Sequence, residues 1–379
     1  MVLRSSIRTN LQQEIGGLVT EWPSRIISII SITIANPTIQ AAIDDVASTT
    51  HEHPHSVDMG CQEELLIQKI CSFYDQISNL ESLKPSKDVD MLFTQLVLTC
   101  IPPNPIEVNK LSKKIQEIRF KLIRLCGEAE GHLENHFSTI LGSFENPLDN
   151  LNIFPYYSNY LKLSHLEFTI LKQHYPHVPS QVAFVGSGPL PLTSIVLACN
   201  HLTTTTFHNY DIDPSANSRA LRLVSSHPDV SKRFFFHTTD ILNVADGLKE
   251  FDVVFLAALV GMNNEEKLRV INHLAKYMAP GAILMLRSAH GARAFLYPVV
   301  DPCELAGFEV LSVFHPTDEV INSVVIARKH QMSVQSSPVD QQPLVSNMIQ
   351  LPSKCSEIPA FNPLNHGNMI EELAIEEQL

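Results

Sequence analysis

The chain has 379 residues, 44% of them hydrophobic, and a formal net charge of −13. That length can bury a substantial core and suggests two domains. The acidic balance, without any basic run, argues against a nucleic-acid partner, whose phosphates demand clustered Lys and Arg. The longest apolar candidate, Ile26 to Ala35, is interrupted by Ser28, Ser31 and Thr33 and is too short to span a bilayer.

Residues 1–58 show no sustained period and read as a disordered leader. Arg4 and Arg8 with Ser5 and Ser6 look faintly like a transit peptide, but Glu14, Glu21, Asp44 and Asp45 spoil the acid-poor signature. We therefore expect a cytoplasmic protein, with Met59 as a possible second start. His51, His53 and His55 within the leader are a candidate Zn or Ni group. We set it aside and expect no metal site, because the cysteines also stand singly, without the C-x-x-C pairs of a zinc knuckle.

From Met59 the pattern turns helical. Leu65, Leu66, Ile70, Phe73, Ile77 and Leu80 recur at three and four residues, and Leu111, Ile115, Ile118, Leu122 and Leu125 form a second stripe. Leu80 to Pro85 and Ile101 to Pro105 read as connections. Gly127 and Gly131 bracket a short helical stretch from Glu128 to Leu141, and a Tyr-rich helix covers Phe154 to Lys172. Residues 59–175 are thus predicted to form an α-helical domain.

At Gln181 strands begin to alternate with helices. The strands are Val182 to Val185, Thr205 to Tyr210, Phe234 to His237, Val253 to Leu259 and Ala282 to Arg287; the helices are Leu190 to Asn200, Pro214 to Ser226 and Asn263 to Met278. Such alternation implies a parallel, doubly wound α/β sheet. Glu309 to Phe314 and Asn322 to Ala327 read as an antiparallel hairpin at its edge, the ending of class I S-adenosylmethionine-dependent enzymes of the methyltransferase type. Residues 176–329 are thus a Rossmann-like domain, and the polar 330–379 a disordered tail.

Gly186-Ser187-Gly188 after the first strand lets the backbone turn tightly against a ligand. Pro189, Leu190 and Pro191 follow, so the third glycine of a dinucleotide fingerprint is missing. Pyrophosphate, and with it a nicotinamide cofactor, is disfavoured; a nucleoside without phosphates fits. Asp211, roughly twenty-five residues on, stands where a carboxylate accepts from both ribose hydroxyls. Asp213 is either a ligand or the cap of the next helix. Asp240 is placed for the adenine amino group or as a turn residue, and Ala257, with Ala258, should lie against the adenosine.

Gly60 to Leu65, Leu80 to Ser86, Leu125 to Glu134 (Leu-Cys-Gly-Glu-Ala-Glu-Gly-His-Leu-Glu), Asn152 to Tyr157, Phe184 to Leu197, Asn209 to Asn217 and Arg287 to Pro298 together resemble plant nicotianamine synthase. The resemblance covers about residues 59–329. It implies condensation of three S-adenosylmethionine molecules into nicotianamine with release of three methylthioadenosines, and no cofactor beyond that substrate. It also implies Glu134 as base or amine anchor and Tyr160 as its positioning partner, with Glu130, one turn away on the same helix face, as the competing acid or a plain surface residue. Arg287, Ser288 and His290 follow the fifth strand, and Arg287 or Arg293 is a candidate partner for a product carboxylate or, equally, a structural ion-pair partner. A methyltransferase on the same fold is the alternative. The sequence leaves the oligomeric state open.

Overall fold

The structure, a computed structural model, describes residues 57–102 and 106–331. The leader, but for Val57 and Asp58, its His51–His55 group, and the tail, but for His330 and Gln331, lie outside the described residues.

Helices α1 (Val57–Ser78), α2 (Lys87–Cys100), α3 (Lys113–Leu141) and α4 (Tyr157–His174) form the N-terminal part. Ser86 caps α2 by accepting from the Val89 N–H, with Asp88 and Asp90 in the first turn, and Ser112 caps α3 at Ile115. Leu66, Ile70, Ile77, Leu92, Leu96 and Leu122 share one core. The first stripe is narrower than the spacing suggested: Leu65 is 53% exposed. The expected break at Gly127 and Gly131 does not occur, and α3 runs through both. Burial of Leu122, Ile123, Ala129 and Leu141 holds the helix together across two residues of poor propensity.

The sheet contains β1 (Gln181–Val185), β2 (Thr206–Asp211), β3 (Phe234–Thr238), β4 (Val253–Leu256), β5 (Ile283–Ser288), β6 (Phe308–Phe314) and β7 (Ser323–Lys329). Its order is β3-β2-β1-β4-β5-β7-β6. β7 runs antiparallel to β5 and to β6, while the β1–β5 pairings are parallel. The closing hairpin lies at the sheet edge as expected, with β7 pairing with β5 and β6 the outermost strand.

Side chains alternate across the sheet. Val182 and Phe184 of β1 pack with Leu163, Ile170 and Leu171 of α4 and with Ile195 of α5 (Leu192–Val196). Ala183 and Val185 face Val270, Ile271 and Leu274 of α8 (Asn264–Tyr277). The remaining helices are α6 (Pro214–Val224) and the single turn α7 (Val230–Arg233). The strand expected over 253–259 stops at Leu256, and Ala257 to Gly261 become a loop.

Ala292, Phe295 and Leu296, just after β5, complete the core of the helical part. Arg119 Nε of α3 donates to Ala294 O at 2.7 Å, and Arg293 Nη2 donates to Ile101 O at 3.0 Å. These contacts seat α3 over the carboxyl ends of the parallel strands, where open α/β sheets bind ligands.

Candidate active site

A cleft of ≈ 730 Å³ opens at those strand ends. Gly186 has φ +80 and its N–H donates to Tyr210 O at 2.8 Å; a Cβ there would collide with the Val260 side chain. Gly188 has φ +66 and donates its N–H to Asp211 Oδ2 at 2.8 Å. A Cβ on Gly188 would lie 2.7 Å from Glu134 Oε2, so the acid of α3 presses directly on the turn. Gly131 faces open space within the same cleft.

Glu130, Glu134 and Tyr160 line the cleft together with Gly186, Ser187, Gly188, Pro189, Asp211, Asp213, Asp240 and Ala257. Asp211 already accepts from two backbone N–H groups, Gly188 and Asp213. Asp213 caps α6 through Oδ1 to the Ser215 N–H, and Asp240 Oδ1 accepts from Leu242 N. Ser187 is 6% exposed, and its Oγ has no hydrogen-bond partner in the protein.

The acids are close and strained electrostatically. Burial, the Glu130 charge and then Asp211 push the Glu134 carboxyl well above the usual carboxylate range, against a long hydrogen bond from Tyr160 Oη (3.4 Å). Burial raises Glu130 as well, opposed by a 2.9 Å hydrogen bond from Tyr297 Oη and by Arg287. Burial, Glu134 and Glu130 lift the Tyr160 phenol, and burial, Glu130 and Tyr160 lift that of Tyr297, so both remain proton donors. A second cavity of ≈ 120 Å³ shares Glu130, Tyr160, Tyr297 and Asn322 with the cleft and extends to Asp90. There Asp90 Oδ2 and Asn322 Nδ2 lack partners, and burial lifts the Asp90 carboxyl to about 6.

Arg287 reaches the cleft, but its fork is occupied. Nε and Nη2 meet Glu167 at 2.7 and 2.9 Å, and Nη2 also meets Thr193 Oγ1 at 2.6 Å. Arg293 is excluded as a carboxylate partner, because it donates to the carbonyls of Ile101, Pro316 and Asp318. Ser288 is buried and accepts from the Val300 N–H; His290 stacks on His315 with centroids 4.0 Å apart. Neither lines the cleft.

Sequence reasoning missed Tyr297, Asn322, Asp90 and Glu167. Tyr297 stood within the Arg287 to Pro298 run and carried a signal; no spacing singled out Asp90, Asn322 or Glu167.

This strand order, with a nucleoside-sized cleft at the topological switch and acids above it, defines a Rossmann-like fold of the class I S-adenosylmethionine-dependent transferase type. The family described as "Nicotianamine synthase protein" matches residues 59–334. A nicotianamine synthase of Solanum lycopersicum is 62% identical over 316 residues, covering 82% of this chain and 98% of its own. Nicotianamine synthase 3 of Arabidopsis thaliana is 63% identical over 325 residues, covering 85% and 100%. The chain belongs to the nicotianamine synthase family. A crystal structure of a mutant of MtNAS in complex with S-adenosylmethionine shares the fold: TM-score 0.60, 21% identity, 70% of this chain and 98% of that one.

Proposed function

We propose that this chain is a nicotianamine synthase, which moves 3-amino-3-carboxypropyl groups among three S-adenosylmethionine molecules and closes an azetidine ring. The observation that carries the chemistry is the placement of Glu134, held by α3 against the Gly188 turn. The family's identity at more than 60% to plant relatives supports the substrate, as does the binding of S-adenosylmethionine by MtNAS.

A sulfonium activates three carbons, and the site chooses which one is attacked. Here an α-amine attacks the γ-carbon: an N–C bond forms, the C–S bond breaks with its electron pair on sulfur, and neutral methylthioadenosine leaves. Ser187 and the Gly186 to Gly188 turn would hold the nucleoside with Asp211, Asp213 and Asp240, beside Pro189 and Ala257. The inner cavity would take the growing amine. Orienting amine and carbon supplies much of the acceleration.

The amine must first lose a proton. Burial and the neighbouring acids bias the Glu134 carboxyl toward its protonated form. An arriving sulfonium and ammonium within about 4–6 Å favour the ionised form, so substrate binding itself produces the base. Glu134 then takes the amine proton, while Tyr160 steadies it and Glu130 shares the load through Tyr297. Such proton transfer is worth roughly 10²–10⁴-fold.

The same proposal divides the chain into a helical part, 59–175, and a nucleotide-binding part, 176–329, and places the protein in the cytoplasm. Among the described residues no helix is long and apolar enough to cross a membrane. Localisation of a fluorescent fusion tests the compartment.

The test of function is incubation with S-adenosylmethionine and mass detection of nicotianamine and methylthioadenosine. S-adenosylhomocysteine as the nucleoside product would establish a methyltransferase instead. Glu134→Gln should abolish nicotianamine while methylthioadenosine binding survives; unchanged turnover would remove Glu134 from the mechanism.

A further inference from the structure

We infer that Lys267 is a positioning residue for the nucleoside half of the reaction, clamping the loop after β4 against both the glycine turn and the acid-bearing helix α3. The inference rests on the reading that the cleft takes S-adenosylmethionine.

Lysines are almost never fully buried unless paired, yet Lys267 is 1% exposed in α8. No nearby charge offsets its burial, which pulls the ammonium down to about 7. What receives its Nζ is backbone: Ala258 O at 2.7 Å and Ala257 O at 3.1 Å. Both residues line the cleft on their other side. Either protonation state of the amine keeps two N–H donors, so the clamp does not depend on charge.

The loop it holds touches everything the chemistry needs in register. Ala257 N–H donates to Val185 O, at the end of β1. The Val260 side chain fills the space left by Gly186, and a Cβ on Gly127 of α3 would meet Met262 Cε at 3.1 Å and Leu259 Cδ1 at 3.4 Å. Gly261, at φ +73, folds the loop back so closely that a Cβ would lie 2.6 Å from Lys267 N. The base of the loop is fastened separately, by Met262 N–H to Glu266 Oε2 and by the Asn263 cap. Lys267 therefore secures the part of the loop that meets the nucleoside. Without it the buried Ala258 carbonyl loses its 2.7 Å donor and the Ala257 carbonyl keeps only the longer 3.3 Å bond from the Val260 N–H, and the least costly relief is for that segment to swing toward solvent, into the cleft.

The test uses Lys267→Met, which keeps length and removes the donors, and Lys267→Gln, which keeps an amide donor. KM for S-adenosylmethionine and Kd for methylthioadenosine should rise about tenfold in Lys267→Met, with kcat changed less than about threefold, and Lys267→Gln should recover part of the loss. KM and Kd within about twofold of the parent, even with a lowered Tm, would reduce Lys267 to a structural role and overturn the inference, as would a fall in kcat at constant KM. If Lys267→Met does not fold, Lys267→Gln is judged on the same criteria. Failure of the unmutated protein to bind methylthioadenosine would instead defeat the reading of the cleft.

Discussion

Removing the carboxylate of Glu167 should weaken both the fold and the pH behaviour of the site. Glu167 and Arg287 are 1% and 8% exposed and meet through two hydrogen bonds of 2.7 and 2.9 Å. Breaking such a buried pair from one side costs about 3–5 kcal/mol, chiefly because a charge is left uncompensated. Here Thr193 and the acids Glu130 and Glu134 still attract the guanidinium, so we expect the lower end, about 3 kcal/mol. Urea denaturation of Glu167→Met, Arg287→Met and the double variant should give a coupling of about 2–3 kcal/mol, so that the double variant loses about as much as one single variant rather than the sum of both. In Glu167→Met the unshared positive charge also pulls the Glu134 carboxyl downward. A base active when ionised then switches on at lower pH, so the acidic limb of kcat/KM shifts down. Coupling below about 0.5 kcal/mol, or an acidic limb that stays in place, would refute the argument that this pair works as a unit facing the acids.

Gly188→Ala should eliminate turnover and substrate binding, since its methyl at φ +66 would press on Glu134; a KM near the parent value would disprove the close approach. Gly131→Ala should raise stability by about 0.5–1 kcal/mol, as a helix-interior glycine replaced without a clash, while its methyl enters the cleft and raises KM; a destabilised variant would contradict the open space seen there. Asp90 binds its proton more tightly when folded, about 6 against an ordinary 3.8. Its ionisation thus costs stability that is absent below 3.8, grows between 3.8 and about 6 and is constant above that. Asp90→Asn should therefore gain on the order of 1 kcal/mol at pH 7.5, discounted for solvent screening, and nothing at pH 3.5; equal effects at both pH values would exclude the carboxyl as the cause. Calorimetry in buffers of different ionisation enthalpy should detect proton release on S-adenosylmethionine binding at pH 7, lost in Glu134→Gln; an identical release in that variant would place the proton elsewhere.

The sheet was legible because its strands are short, apolar and bounded by Gly, Pro or Asp, with helix periods between them. What the pattern does not carry is order across the sheet: nothing in Ser323 to Lys329 announces that it slots between β5 and β6. Local propensity also misled at Gly127 and Gly131. Glycine reads as a helix boundary, but here tertiary packing holds α3 continuous, and the missing side chains make room for Met262 and for the cleft. The cleft-facing loops were visible as a series of Gly and Asp residues at strand ends. The second set, Tyr297, Asn322, Asp90 and Glu167, is brought in from separate elements by packing, and no spacing in one chain segment encodes that. Arg293 shows how an open alternative is decided by packing: a ligand role and a structural one were equally legible in its run, and three backbone carbonyls employ it as a brace.

The placement of so many acids in one enclosed space follows from the substrate's charge. Glu134 lies against the glycine turn, with Glu130 and Asp211 acting on it and Arg287, already engaged by Glu167, opposing them. Ionising Glu130 and Glu134 together is unfavourable at low effective dielectric, which biases the pair toward its protonated form. A neutral ligand would leave that tension in place. A ligand that brings a sulfonium and an ammonium relieves it, and each condensation then converts the sulfonium to a neutral thioether while adding a proton. The site thus passes from compensated to overloaded with every bond formed. Acids on two turns of one helix, each tied to its own tyrosine, let the proton be shared, whereas a methyltransferase acting once on a neutral acceptor has no such requirement. The paired Glu130–Tyr297 and Glu134–Tyr160 contacts are the feature that suits repeated amine alkylation in one enclosed space.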